Sequence, residues 1–272
     1  MAFERPRATL DYKMCAYGTS RLQFRGPERA LNGDFIAFIG GSETFGKFCA
    51  HPFPDIVGGA LGVTALNLGS PNAGLDVFQD DPTVLELARK ARLRVVQVPG
   101  AQNVTNRLYS VHPRRNDRFL KASRMLQLLY DEVDFTEFHF TGHLLNALYT
   151  RDPERFELVA EELRQAWSAR MATFLGRIGG PTIVLWMSRR GPGEDALLRE
   201  VEPRLVDAVM LAGLAGADRT IVEVVLGATE EADLAQMHFD DLEALAAAAL
   251  PGPSGHQIVA DQLIGALSDQ WR

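Results

Sequence analysis

The chain has 272 residues, 46% hydrophobic, 23% charged and 8% aromatic, with a formal net charge of −7. No apolar run reaches the ~20 residues of a membrane span, and no block of Lys and Arg marks a nucleic-acid groove, so neither class is expected. Two cysteines, Cys15 and Cys49, make no disulfide framework or zinc ribbon by themselves. Charges at the N-terminus stand where a signal peptide has its apolar core, which makes the cytoplasm the expected compartment.

In chain order, residues 1–33 lack periodicity and read as an N-terminal arm, and residues 34–272 read as a single domain. Asp34 to Ile39 is an apolar run closed by Gly40 and Gly41, and Val63 to Leu68 ends in Gly69. Thr83 to Ala91 opens after Pro82 with a helical pattern. Leu93 to Val98 ends in Pro99 and Gly100. The stretch from about 104 to 151 is too long for a simple crossover. It reads as a mostly helical insertion above the carboxyl edge of the sheet, where open α/β sheets bind ligands. Glu154 to Ile178 keeps a 3.6-residue apolar stripe until Gly179-Gly180-Pro181 stops it. Thr182 to Met187 and Thr220 to Leu226 are further apolar runs; Pro203 to Leu214 and Gly255 to Leu267 read as helices.

Five runs rich in Val and Ile, bounded by Gly or Pro, suit strands buried on both faces. Alternating with helices, they predict a doubly wound parallel five-stranded sheet, flavodoxin-like, in spatial order 2-1-3-4-5.

Three strand ends carry the chemistry. Phe38-Ile39-Gly40-Gly41-Ser42 runs a strand through two glycines into a hydroxyl at a predicted helix start, where backbone N–H groups face any oxyanion formed nearby. Strand–turn–helix with Ser42 as a plain N-cap is the structural alternative. The second strand ends in Gly69 and a loop holding Asn72; the third ends in Gly100-Ala101-Gln102-Asn103. In a parallel sheet these ends share one edge, so Ser42, the Gly69 N–H and the Gln102 or Asn103 amide are expected to converge, as acyl transfer requires.

These blocks resemble the SGNH/GDSL hydrolase superfamily. Gly40-Gly41-Ser42-Glu43-Thr44-Phe45-Gly46 is similar to its first block, Asn67-Leu68-Gly69 with Pro71 and Gly74 to its second, and Gly100 to Asn103 to its third. Gly255-His256-Gln257 resembles the start of its final helix. The resemblance implies a cofactor-free esterase, deacylase or acyltransferase with Ser42 as nucleophile and Gly69 and Asn103 as oxyanion donors. Gly41 replaces the usual Asp, and the third block is one residue longer than the family spacing, which keeps Gln102 as an alternative donor. The family's base histidine falls on Leu250. Three alternatives follow: His256 serves as base, His238 does, or ordinary hydrolysis is absent, because a serine without a base is a poor nucleophile.

Two further clusters stand out. His112, Arg114 and Arg115, in a run holding three Arg, form a candidate anion clamp above Ser42; internal pairing with Asp117 is the structural alternative. His139 and His143 have the i, i+4 spacing of zinc helices but no third ligand at motif spacing, so no metal is expected. The predicted function is serine-dependent acyl-ester hydrolysis or transfer on a small-molecule or carbohydrate acyl substrate, anionic or carbohydrate-linked. The rivals are a catalytically silent binding protein on the same scaffold and a metal-dependent hydrolase.

Overall fold

The computed structural model describes residues 10–194 and 201–271; residues 1–9 of the arm and Arg272 lie outside them. The first half runs β1 (Phe35–Ile39), α1 (Ser42–Phe45), α2 (Phe53–Leu61), β2 (Thr64–Asn67), α3 (Leu75–Gln79), α4 (Pro82–Lys90) and β3 (Leu93–Gln97). An antiparallel hairpin follows, β4 (Tyr109–His112) and β5 (Arg115–Ala122), then α5 (Arg124–Leu129), α6 (Thr141–Arg151) and the long α7 (Pro153–Ile178). The chain closes with β6 (Thr182–Ser188), α8 (Ala208–Ala212), β7 (Arg219–Val225), α9 (Glu231–Leu234), α10 (Ala244–Ala249) and α11 (Pro253–Trp271).

The central sheet has the order β2-β1-β3-β6-β7 with every pair parallel, which is the arrangement the five apolar runs predict. Its strands alternate between two cores. Phe35, Ala37 and Ile39 join Leu163, Trp167, Met171 and Phe174 of α7 on one side. Ile36 and Phe38 join Val57 of α2 and Val259 and Leu263 of α11 on the other. Burying both faces is what a wholly apolar strand demands.

Local chemistry sets the helix ends. Asp81 and Asp152 accept the N–H groups of Val84 and Arg155, with Pro82 and Pro153 at the first helical position. Arg94, buried in β3, donates to the carbonyls of Ala88 and Arg89 and so closes the C-terminus of α4. Among the described residues, no helix is long and apolar enough to cross a membrane.

Two expectations change in detail. The insertion carries helices, and also the β4–β5 hairpin that periodicity did not show. The helix expected over Pro203–Leu214 shrinks to α8, because the guanidinium of buried Arg190 binds the carbonyls of Pro203 and Val206 and holds that stretch as a loop.

Candidate functional site

A cavity of about 520 Å³ opens where the ends of β1, β2, β3, β6 and β7 meet. Ser42, Glu43, Asn72 and Asn103 line it from the first three strand ends, and Asp117 reaches it from β5. Met187, Leu226, Ala246, Ala249, Leu250 and Ile258 make the opposite wall apolar.

Ser42 is held by an interlocked turn. Gln97, the last residue of β3, accepts the Gly41 N–H at 3.1 Å and the Thr44 hydroxyl at 2.6 Å, and donates to Glu43 Oε2 at 3.0 Å. Gly40 has to be glycine, since a Cβ there would stand 2.2 Å from Thr44 Oγ1 and 2.4 Å from Gln97 Oε1. From the N-terminal arm, buried Arg25 donates to the carbonyls of Gly46, Cys49 and Ala50, bracing the loop behind α1. The Ser42 hydroxyl oxygen accepts the Asn72 N–H at 3.2 Å.

Ser42, Asn72 and Asn103 are thus brought together, whereas other expected site residues are placed elsewhere. The Gly69 N–H is taken by Asn67 Oδ1 at 2.9 Å, and Gly69 lies outside the cavity lining. Its lack of a side chain serves packing, because a Cβ would stand 2.3 Å from the Phe45 nitrogen. Asn103 Oδ1 accepts the Thr141 hydroxyl at 2.7 Å, which orients the amide with its NH₂ as the remaining donor. Gln102 is buried behind the wall and donates to Glu202 Oε1.

His256 does not approach Ser42. Its ring is buried between α11 and α2, stacked on Phe53, with Nδ1 accepting the Phe53 N–H at 3.2 Å. Burial pushes its pKa down to about 4. His238 donates its main-chain N–H to the Phe48 carbonyl and is likewise absent from the lining. No imidazole stands among the described residues of the cavity wall. Leu250 does, so an apolar side chain fills the place that the resemblance gives to the base.

The anticipated anion clamp is also displaced. His112, Arg114 and Arg115 occupy the tip of the β4–β5 hairpin, outside the lining. The His112 ring accepts the main-chain N–H groups of Arg114 and Arg115, and Arg115 stands 3.6 Å from Asp117. His139 and His143 do not share a helical face: α6 begins at Thr141, and the His139 carbonyl accepts the Phe119 N–H, tying that residue to β5. Among the described residues no group of three or more His, Cys, Asp or Glu is placed to hold a metal ion.

Carboxyl groups, which sequence reading missed, dominate the polar lining. Among the described residues, Glu43, Asp117, Glu202, Glu230 and Asp233 share the lining with two cations, Lys47 and Arg189. Both cations are engaged: Lys47 with Glu243 at 3.1 Å, and Arg189 with Thr229 Oγ1 and the Ala248 carbonyl. Burial raises the pKa of Asp117, whose Oδ1 has no partner among the described residues. The available signals were Glu43 beside the serine, a lone Gln in the apolar β3, and Arg189 immediately after β6.

Among solved structures, the chain is similar to the lipase Lip_vut3 from a goat rumen metagenome, at 11% identity and TM-score 0.45, covering 86% of this chain and 97% of that one. It is similar also to a carbohydrate esterase reported to have divergent catalytic and non-catalytic binding functions in its active site, at 13% identity and TM-score 0.46, covering 91% and 67%. A protein from Lactobacillus plantarum matches at 13% identity and TM-score 0.42, covering 87% and 97%. No curated protein matches the sequence. A family profile matches residues 1–271, and the chain belongs to that family, a domain of unknown function designated DUF6473.

Proposed function

We propose that the cavity at the carboxyl edge binds a small, partly apolar molecule with a neutral or cationic polar head, and that Ser42 takes part as a hydrogen-bonding group. The observation that carries this reading is the absence of imidazole from the described wall around Ser42, with Leu250 where a base is expected. Without an imidazole in the described wall, the hydroxyl lacks the base that the resemblance assigns to it. The head-group preference follows from the charge of the lining. Among the described residues its carboxyl groups outnumber its cations, and those cations already hold protein partners. An anionic head would meet like charge in a partly dry site, whereas hydroxyl or ammonium donors find acceptors. Met187, Leu226, Leu250 and Ile258 receive the apolar part. A carbohydrate-linked alkyl or acyl compound fits both walls.

The second reading is serine-dependent acyl-ester hydrolysis or transfer. It is favoured by the interlocked presentation of Ser42 beside the Asn103 amide. Intact-mass analysis after exposure to a fluorophosphonate separates the two. The binding reading expects no adduct; an adduct lost in Ser42→Ala establishes the nucleophile. Octyl glucoside, octylamine and octanoate, each below its micelle concentration, test the head group by thermal shift. The first two are expected to raise Tm and octanoate to leave it unchanged; stabilisation by octanoate alone overturns the assignment.

A further inference from the structure

A second apolar surface begins where the cavity ends. A single 3₁₀ turn, Asp241–Glu243, leads into α10. One side of this segment is fixed to the protein. Ala247 is buried in a cluster with Phe48, Cys49 and Met237, Glu243 pairs with Lys47 at 3.1 Å, and the Ala248 carbonyl accepts from Arg189 at 2.6 Å. The other side is hydrocarbon in water: Leu242 is 95% exposed and Leu245 90%. Residues three and four apart are neighbours on a helix, so these two leucines adjoin Ala246 and Ala249, which line the cavity. Ile258 of α11 lines it too and is 47% exposed. Single exposed leucines are ordinary, but a contiguous stripe that runs out of a ligand cavity marks a contact surface.

We propose that the stripe of Leu242, Leu245, Ala246 and Ala249 is a track for the hydrocarbon tail of the cavity's ligand, so that the protein takes amphiphiles whose chains are longer than the cavity holds. The inference rests on the reading of the cavity as a site for a partly apolar molecule. With the head at Ser42 and Asn103, the tail passes Leu250 and Ile258 and leaves over Ala249 and Ala246. From Ala249 to Leu242 the track is about two helical turns, or about 10 Å, long enough for several methylenes. Continuity selects this occupant. A tail whose head sits in the cavity reaches Ala249 and Ala246 without a second partner. An anionic bilayer would instead meet Asp240, Asp241 and Glu243 of the same segment. The track is also preformed. Asp240 accepts the Glu243 N–H at 3.0 Å, and the Leu250 carbonyl accepts the Thr229 hydroxyl at 2.6 Å, so both ends of the segment are tied down.

The test is the dissociation constants of hexyl, octyl, decyl and dodecyl glucoside, measured by calorimetry with each below its micelle concentration. The proteins compared are the wild type and Leu242→Gln combined with Leu245→Gln. Glutamine has a helix propensity close to that of leucine, and both positions face solvent, so the double variant is expected to fold as the wild type does. In the wild type, each methylene added beyond octyl should tighten binding by about twofold to fourfold. Hexyl glucoside should bind both proteins alike, while the double variant should lose about tenfold or more of the gain from octyl to dodecyl. A control, Leu128→Gln combined with Leu158→Gln, alters exposed leucines of α5 and α7 and should keep that gain. Equal chain-length dependence in wild type and double variant overturns the track and leaves the cavity reading standing, since the short glucosides still bind. An equal loss in the control makes the gain general adhesion and overturns the track as well. A ligand-free wild type that sediments as a dimer, with the double variant a monomer, gives the face to a second copy and has the same consequence. Failure of the wild type to bind any of the glucosides overturns the cavity reading and the track with it.

Discussion

The cavity's two walls are built on different principles. On the Ser42 side, hydrogen bonds from three strand ends interlock: Gln97 of β3 grips Gly41, Glu43 and Thr44, while Asn67 of β2 donates to the Thr44 carbonyl. Across the cavity, α10 and the start of α11 offer Ala246, Ala249, Leu250 and Ile258, with little polar function beyond Asp233, which accepts the Ser254 N–H at 3.0 Å and so caps α11. Presentation of the serine is therefore separable from activation of the serine. The fold holds the hydroxyl through backbone and amide contacts that need no base, and it fills the base's expected place with hydrocarbon.

The largest expected effect breaks the polar wall. Gly69→Ala pushes a methyl into the Phe45 nitrogen and Cα, at 2.3 Å and 2.7 Å, and backbone on both sides leaves little freedom to yield. A loss of about 3 kcal/mol in urea unfolding is expected, with displacement of α1. Gly59→Ala is the control: nothing lies within 4 Å of the added Cβ, and the position is inside α2. There alanine should stabilise by about 0.5–1 kcal/mol.

The next effect sharpens the apolar side. His256 is depressed to about 4 by burial, with Arg25 adding to the shift. A histidine that binds its proton more weakly when folded contributes fully above its unfolded pKa, near 6.5, and loses that contribution as pH falls toward 4. The loss approaches about 3 kcal/mol. His256→Asn keeps an acceptor for the Phe53 N–H without a titrating ring, so its unfolding should lack this acid sensitivity. Acid profiles that coincide would place the ring in water and reopen its role as a base.

The same contrast explains what the sequence made legible. Strand order was readable because wholly apolar runs ending in glycine admit few arrangements, and Ser42 was readable because glycines at strand ends advertise a turn. Gly69 was identified from its motif, but its use as a packing position depends on the main chain of Phe45, at the end of α1. His256 sits in a recognisable segment, yet which way its ring turns is set by Phe53, some two hundred positions away. Glu202 had no local signal at all. Its environment is assembled by Gln102 and Glu43 across the sheet edge, and by Arg190 pinning the carbonyls of the loop it belongs to.

The smallest effect tests a region outside both walls. The β4–β5 turn is shaped by the His112 ring, which accepts the Arg114 and Arg115 N–H groups at 3.3 Å and 3.2 Å, so their guanidinium groups are not needed to form it. Arg114 is exposed, and Arg115, its side chain 45% exposed, stands 3.6 Å from Asp117. Exposed pairs of this kind contribute about 0–1 kcal/mol, screened further by salt. Arg114→Ala combined with Arg115→Ala should therefore change unfolding stability by no more than about 0.5 kcal/mol. Thermal shifts with octyl glucoside should match the wild type, because neither arginine lines the cavity. An anionic probe such as octyl sulfate should be as poorly bound as before. If the double variant instead lost octyl sulfate binding that the wild type possessed, the hairpin tip would close over the cavity in solution. The acidic wall would then be only half of the recognition surface.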